Sequence, residues 1–112
     1  MQVFSRVALV RCQRQIYISS LFARKAGHGQ HQALDVFDQL EAILDQTGSD
    51  LRHMAKATYY VCDDESARGM DRVRLWRYDQ DRPPAASKLM VHGVGKSGRT
   101  LTLDMIAVSG GQ

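Results

Sequence analysis

The apolar residues between positions 30 and 47 recur at helical spacing, and this stretch is the strongest constraint on the fold. The spacing predicts an amphipathic helix, and Gly48 follows where a left-handed C-terminal cap belongs. The apolar stripe consists of Ala33, Phe37, Leu40, Leu44 and Thr47, with Val36 and Ile43 beside it. Because such a helix buries one face against a second layer, the rest of the chain must supply that layer.

Strand-like runs lie on both sides of this helix. Polar residues 11–14 separate the first two runs and predict a hairpin, and the glycine-rich residues 93–98 predict another hairpin between the last two. The five runs are rich in β-branched and aromatic side chains, and they are residues 3–10, 15–20, 55–62, 87–92 and 100–108.

A second helix is predicted between the third and fourth of these runs. Asp63 or Asp64 can cap its N-terminus, and Pro83-Pro84 lies beyond its end. Its apolar positions recur every three residues and are Ala67, Met70, Val73 and Trp76. The predicted order is β-β-α-β-α-β-β, which is an α+β fold with both helices on one face of the sheet.

The length of the chain limits it to one domain. Its 112 residues, 44% of them hydrophobic, suffice for a single ordinary core, so we expect one domain over residues 1–112. No apolar run approaches a membrane span, and a secretory signal is not evident. Two cysteines are too few for a disulfide framework. We therefore expect a cytoplasmic protein with no membrane partner.

The charge pattern favours a small anionic ligand over nucleic acid. The formal net charge is +3, and the 15 Lys and Arg residues are dispersed among 12 acids rather than gathered in one stripe. His28 and His31 lack the spacing of a metal-binding helix, and residues 93–98 precede a strand rather than the helix that a phosphate loop requires. We therefore expect neither a metal site nor a phosphate loop in these segments.

Alternation in the last two runs predicts a sheet with one apolar and one partly polar face. In the final run the odd positions are apolar, while the even positions include Thr102 and Asp104. In the preceding run Leu89 and Val91 are the apolar odd positions, and the even positions include Lys88. The partly polar face must meet water, a ligand or another subunit, which favours a multimer.

Lys88 is the most informative single residue of the predicted sheet, because an ammonium group placed mid-strand needs an anion or water. Its partner could be Asp104 on the other late strand or the carboxylate of a ligand. A purely structural Lys88–Asp104 pair, or an exposed lysine, remains the alternative.

Five segments of the chain together resemble a known family, namely residues 16–20, 44–51, 55–63, 83–87 and 103–108. In sequence and order, nearly the whole chain resembles the Rid family of reactive-intermediate deaminases, also called YjgF-like and formerly named endoribonuclease L-PSP. Absence of a cofactor is part of what this resemblance implies. The resemblance implies a chorismate-mutase-like fold and a homotrimer whose sheets face a central barrel. It also implies ligand clefts between subunits and cofactor-independent hydrolysis of imines and enamines to 2-oxo acids and ammonia.

The family's site residues are only partly matched. The arginine that holds the substrate carboxylate is replaced by Ala86, and the glutamate that positions water aligns with Thr102, which leaves Asp104 as the nearest acid. The loop after Ser19-Ser20 lacks the usual glycine at its second position, and an asparagine in the second helix is replaced by Asp71.

The predicted site follows from these matches. Asp104 and Thr102 are the predicted catalytic residues, and the predicted substrate-binding residues are Lys88, Ser19, Ser20 and Ala86. Lys88 lies two residues after Ala86, on the same strand face, and could replace the arginine as a point charge.

Three functions are compatible with the sequence. The first is a Rid-like hydrolase of small imines and enamines with altered specificity. The second is a module that binds or senses a small carboxylate-bearing metabolite without turnover. The third is an RNA-directed activity, which the dispersed charge disfavours.

Overall fold

The computed structural model describes residues 14–81 and 83–108, so the predicted strand at residues 3–10 and its hairpin lie outside the described residues. The described elements follow the order β-α-β-α-β-β, as predicted for this part of the chain. Their bounds are β1 (Gln15–Leu21), α1 (Gly29–Gln46), β2 (Met54–Val61), α2 (Asp64–Arg77), β3 (Ala85–Met90) and β4 (Leu101–Val108).

The four described strands form one sheet in the order β1-β4-β2-β3. Strand β4 is antiparallel to both β1 and β2, whereas β3 is parallel to β2 and is reached through α2. The hairpin predicted between the last two strands is therefore wrong, because β2 lies between β3 and β4. Residues 93–98 reverse the chain direction, but they connect two strands that are not neighbours.

Both helices pack on the same face of the sheet, as predicted. Helix α1 buries the apolar stripe that its spacing predicts, including Phe37, Leu40 and Leu44. Helix α2 begins after Asp63, whose carboxylate accepts a 2.8 Å hydrogen bond from the N–H of Ser66, as expected of an N-cap. These contacts give the chain one continuous core between the helices and the sheet.

The helix-facing side of the sheet is set by alternation along β2 and β4. Tyr59, Leu101 and Leu103 are fully buried, and Met105 and Ala57 lie beside them on the same side. The intervening residues of these strands face away from the helices, so no described helix or strand covers this opposite side of the sheet.

Gly69 lies inside helix α2 because the backbone of helix α1 leaves no room for a side chain at this position. A Cβ atom at this position would lie 2.6 Å from the backbone nitrogen of Gln30 at the start of α1. The two helices therefore cross so closely near their N-termini that only glycine fits.

Neither of the two described helices is long and apolar enough to cross a membrane.

Candidate functional site

We define the open face as the side of the sheet that points away from the helices. Thr58 lies at its centre, directly opposite Asp104 of β4 on one side and Ser87 of β3 on the other. The open face is formed by Tyr17, Lys56, Thr58, Tyr60, Ser87, Leu89, Thr102, Asp104 and Ile106. It is the partly polar face that alternation in the last strand predicts.

A β-bulge in β1 faces Asp104. Ile18 pairs with Met105 and Leu21 pairs with Leu103, so both Ser19 and Ser20 lie opposite the single residue Asp104. Bulges of this kind redirect the backbone and are frequent beside active sites. Here the bulge turns the backbone of β1 toward the carboxylate.

Ser20 adopts a left-handed conformation within this bulge, with φ of 54°. Its backbone N–H donates a 2.7 Å hydrogen bond to Oδ1 of Asp104. Because left-handed backbone is costly for residues other than glycine, Ser20 holds its N–H on the carboxylate at some cost in stability.

Two adjoining clefts open on either side of Asp104. The larger, of about 360 Å³, is bordered by Tyr17, Ser19, Lys56 and Thr58. The smaller, of about 260 Å³, is lined by Ser20, Tyr60, Val91, Gly93, Val94, Thr102 and Asp104. The structure thus brings four of the predicted site residues together, namely Ser19, Ser20, Thr102 and Asp104.

Thr102 lies at the edge of the smaller cleft but is only 6% exposed. Its hydroxyl donates a 3.0 Å hydrogen bond to the backbone carbonyl of Leu21. The side chain of Thr102 therefore ties β4 to the end of the bulged strand.

Ala86 and Lys88 lie on the opposite side of the sheet from Asp104. The parallel register places Ala86 beside Ala57 and Lys88 beside Tyr59, and both partners face the helices. Ala86 packs against the core, and Nζ of Lys88 lies 2.9 Å from Oδ2 of Asp71 in α2. The ion pair of Lys88 is therefore made with Asp71, not with Asp104.

The register between β2 and β3 also sets which side of the sheet the other β3 residues face, and this differs from the prediction. The alternation in this run predicted that Leu89 would pack toward the helices, but it lies on the open face and is 44% exposed. The reason is the register with β2, which puts Lys88 rather than Leu89 beside Tyr59. Substrate binding by Lys88 and Ala86 stays a prediction, and among the described residues they lie across the sheet from Asp104 and line neither of its two clefts.

Lys56 is a cation at this site that the sequence did not single out. It is half-buried on the open face, and its Nζ donates a 2.8 Å hydrogen bond to Oγ of Ser87. The signal in the sequence is the spacing of Lys56, Thr58 and Tyr60, which are alternate positions of one strand. The adjacent tyrosines at 59 and 60 obscure this alternation.

Among residues 14–81 and 83–108, no group of three His, Cys, Asp or Glu side chains could hold a metal ion. His28 and His31 contact each other edge to face with ring centroids 5.9 Å apart, and His28 lies 3.5 Å from a carboxylate oxygen of Glu65. The N–H of Gly29 at the start of α1 also donates to Glu65 and lowers the pKa of that carboxyl. This corner of the molecule serves to join the two helices.

Comparisons with known proteins show which fold this is. No family model matches the chain, and no curated protein sequence matches it. A solved structure of a YjgF family member from Neisseria meningitidis is 21% identical, covers 88% of this chain and 82% of its own, and has a TM-score of 0.81.

Two further solved structures agree. RidA from an Antarctic Psychrobacter species is 17% identical over 96% of this chain and 99% of its own, with a TM-score of 0.75. A member of the YjgF/YER057c/UK114 family from Mycobacterium tuberculosis is 20% identical over 94% of this chain and 86% of its own, also with a TM-score of 0.75. The chain has the α+β, chorismate-mutase-like fold of the YjgF/Rid proteins, and the resemblance seen in the sequence is confirmed at the level of the fold.

Proposed function

We propose that this chain is a Rid-type protein that binds a small carboxylate-bearing metabolite on its open face and hydrolyses imines derived from amino acids. The observation that carries the proposal is the Asp104 carboxylate, which the bulged β1 strand holds between two clefts. A carboxylate fixed beside a concavity of ligand size is suited to positioning a water molecule and accepting its proton.

The reaction needs only water and a proton acceptor. Water attacks the carbon of the protonated imine while Asp104 accepts one of its protons, which gives a carbinolamine and a neutral Asp104. Asp104 then returns this proton to the nitrogen. The carbon–nitrogen bond breaks as the hydroxyl group gives its proton back to the Asp104 carboxylate, so that ammonia and the 2-oxo acid are released. Enamines enter the same path after tautomerisation to the imine.

We further propose that three chains assemble with their open faces turned toward a common centre. Tyr17 and Leu89 are 70% and 44% exposed on this face, and a second subunit would bury them together with the shallow clefts. Light scattering should give a mass three times that of the chain. A monomeric mass would remove the interface and, with it, the closure of the clefts.

An imine-hydrolysis assay tests the activity. An amino-acid oxidase generates imines from a panel of amino acids, and semicarbazide competes to trap them. We expect the protein to accelerate release of the 2-oxo acid at the expense of the trapped imine, and Asp104→Asn to abolish the acceleration. Asp45→Asn, on the exposed side of α1, is the matched control. Equal rates with and without the protein across the panel would exclude the hydrolase.

One observation favours a second candidate, a module that binds the same metabolite without turnover. Thr102 stands where the family's glutamate is expected, and its hydroxyl is already bonded to Leu21. A protein of this kind would show saturable binding of a 2-oxo acid in a thermal-shift or NMR titration, with no effect in the imine assay. The described residues offer nothing comparable in favour of RNA.

A further inference from the structure

The charged residues of the four strands are distributed unevenly between the two sides of the sheet. They are Lys56, Lys88 and Asp104, and Lys88 is paired with Asp71 on the helix side. The open face therefore carries one cation and one anion within its described strands, Lys56 and Asp104. Since both border the cleft of about 360 Å³, the cleft has opposite charges in its wall.

The register of β2 and β4 sets the separation between the backbone positions of Lys56 and Asp104. Thr58 pairs directly with Asp104, and Lys56 pairs with Ile106, so Lys56 and Asp104 are diagonal neighbours on the same side of β2 and β4. Diagonal neighbours of an antiparallel pair lie roughly 7–8 Å apart. A 2-imino or 2-oxo acid carries its carboxylate and its polar double bond on adjacent carbon atoms, and side chains that start from this separation can contact both groups of one such molecule.

Lys56 also has hydrogen-bonding capacity to offer an anion. Its ammonium carries three donors, of which one is directed to Oγ of Ser87 at 2.8 Å. Among the residues that the structure describes, no ion pair joins Lys56 to Asp104. The hydroxyl groups of Ser19 and Thr58 border the same cleft and can donate to a second carboxylate oxygen.

We infer that Lys56 is the residue that binds the substrate carboxylate on the open face, in the role that the family gives to an arginine at position 86. This inference rests on the proposed function and adds the orientation of the ligand: the carboxylate of a 2-imino or 2-oxo acid contacts Lys56, and its double bond is turned toward Asp104. Tyr17 and Ile106 border the cleft with apolar surface, so the ligand's side chain is uncharged. A lysine provides a point charge without the bidentate fork, which predicts weaker carboxylate binding than an arginine would give.

NMR titration of the full chain with pyruvate tests the assignment. Methyl pyruvate is the matched ligand without the carboxylate charge. We expect pyruvate to shift the amide signals of Thr58 and Asp104, and methyl pyruvate to bind at least tenfold more weakly. Lys56→Met should weaken pyruvate binding at least tenfold and abolish the preference over the ester, while Lys56→Arg should retain both. Lys96→Met, in the loop before β4, controls for loss of one positive charge.

The outcomes separate this inference from the proposed function. If Lys56→Met binds pyruvate as the wild type does, or if Lys88→Met alone loses binding, the assignment of Lys56 is overturned while imine hydrolysis stands on its own assay. If the wild type binds pyruvate and its methyl ester equally, carboxylate recognition is overturned. If the wild type neither binds pyruvate nor accelerates imine hydrolysis, both the inference and the proposed function fail.

Discussion

The backbone N–H of Ser20 donates a 2.7 Å hydrogen bond to Oδ1 of Asp104, across 84 positions of sequence. The bond depends on the bulge, because Ser19 and Ser20 together occupy the space opposite one residue of β4. It also depends on the left-handed conformation of Ser20, whose φ is 54°. The orientation of the candidate catalytic carboxylate is thus coupled to the least favourable backbone conformation of β1.

Ser20→Gly should stabilise the fold. A left-handed backbone costs a residue with a Cβ about 1–2 kcal/mol, and glycine avoids this cost but loses more conformational entropy on folding. We expect the free energy of unfolding to rise by about 0.5–1 kcal/mol in urea titration, with the N–H to Asp104 retained. Ser19→Gly should lower it, because Ser19 has no positive φ to relieve. Equal effects at both positions would argue against strain at Ser20.

Asp104→Asn should separate catalysis from folding. The amide oxygen of asparagine still accepts the Ser20 N–H, so the free energy of unfolding should change by less than about 1 kcal/mol. The amide cannot accept a proton from water, and general-base catalysis is worth roughly 10²–10⁴-fold. We expect imine hydrolysis to fall by at least about 100-fold while the urea midpoint stays close to that of the wild type. Retained activity would remove Asp104 from the mechanism.

Gly69→Ala should destabilise the protein although alanine is the better helix former. Alanine gains about 1 kcal/mol in helix propensity, but its Cβ would lie 2.6 Å from the backbone nitrogen of Gln30. Helices α1 and α2 would have to separate, and overpacking of this kind costs about 1–3 kcal/mol. Urea titration should therefore show a net loss of stability.

Gly27→Ala is the control for this substitution. No atom lies within 4 Å of a Cβ at position 27, so the free energy of unfolding should change by less than about 0.5 kcal/mol. If Gly69→Ala proved as neutral as Gly27→Ala, the close crossing of the helices would be contradicted.

Local patterns predicted the helices because their causes are local. The stripe that includes Phe37 and Leu40 is buried as its spacing requires, and Asp63 caps α2 through a bond only three residues long. The Gly69 crossing was not predictable, since its cost within the helix is local but its benefit comes from contact with Gln30. A sequence pattern reports the cost alone.

Strand pairing and facing were harder to predict because they depend on distant partners. Glycine-rich residues 93–98 indicate a chain reversal, but nothing in them tells that β2 will lie between the two strands they join. Once β3 pairs with β2 in parallel, Lys88 falls beside buried Tyr59 and turns toward Asp71. The register of β2 with β4 places Lys56 on the same side of the sheet as Asp104, although the sequence pattern did not predict a role for this lysine.

Acid should destabilise the protein partly through Asp35. The guanidinium of Arg24 donates two hydrogen bonds to the carboxylate of Asp35, and its positive charge also favours the charged form. The pKa of Asp35 therefore lies below its ordinary value of 3.8. With the folded-state pKa below the unfolded one, the unfolded chain binds more protons in acid. The stabilisation is therefore complete above about pH 4 to 5 and is lost as the pH falls through the folded-state pKa. The urea midpoint of Asp35→Asn should therefore decline less steeply below about pH 4 than that of the wild type. Asp45→Asn is the control and should keep the wild-type slope. Parallel profiles for all three proteins would show that the Arg24–Asp35 pair does not contribute to stability in acid.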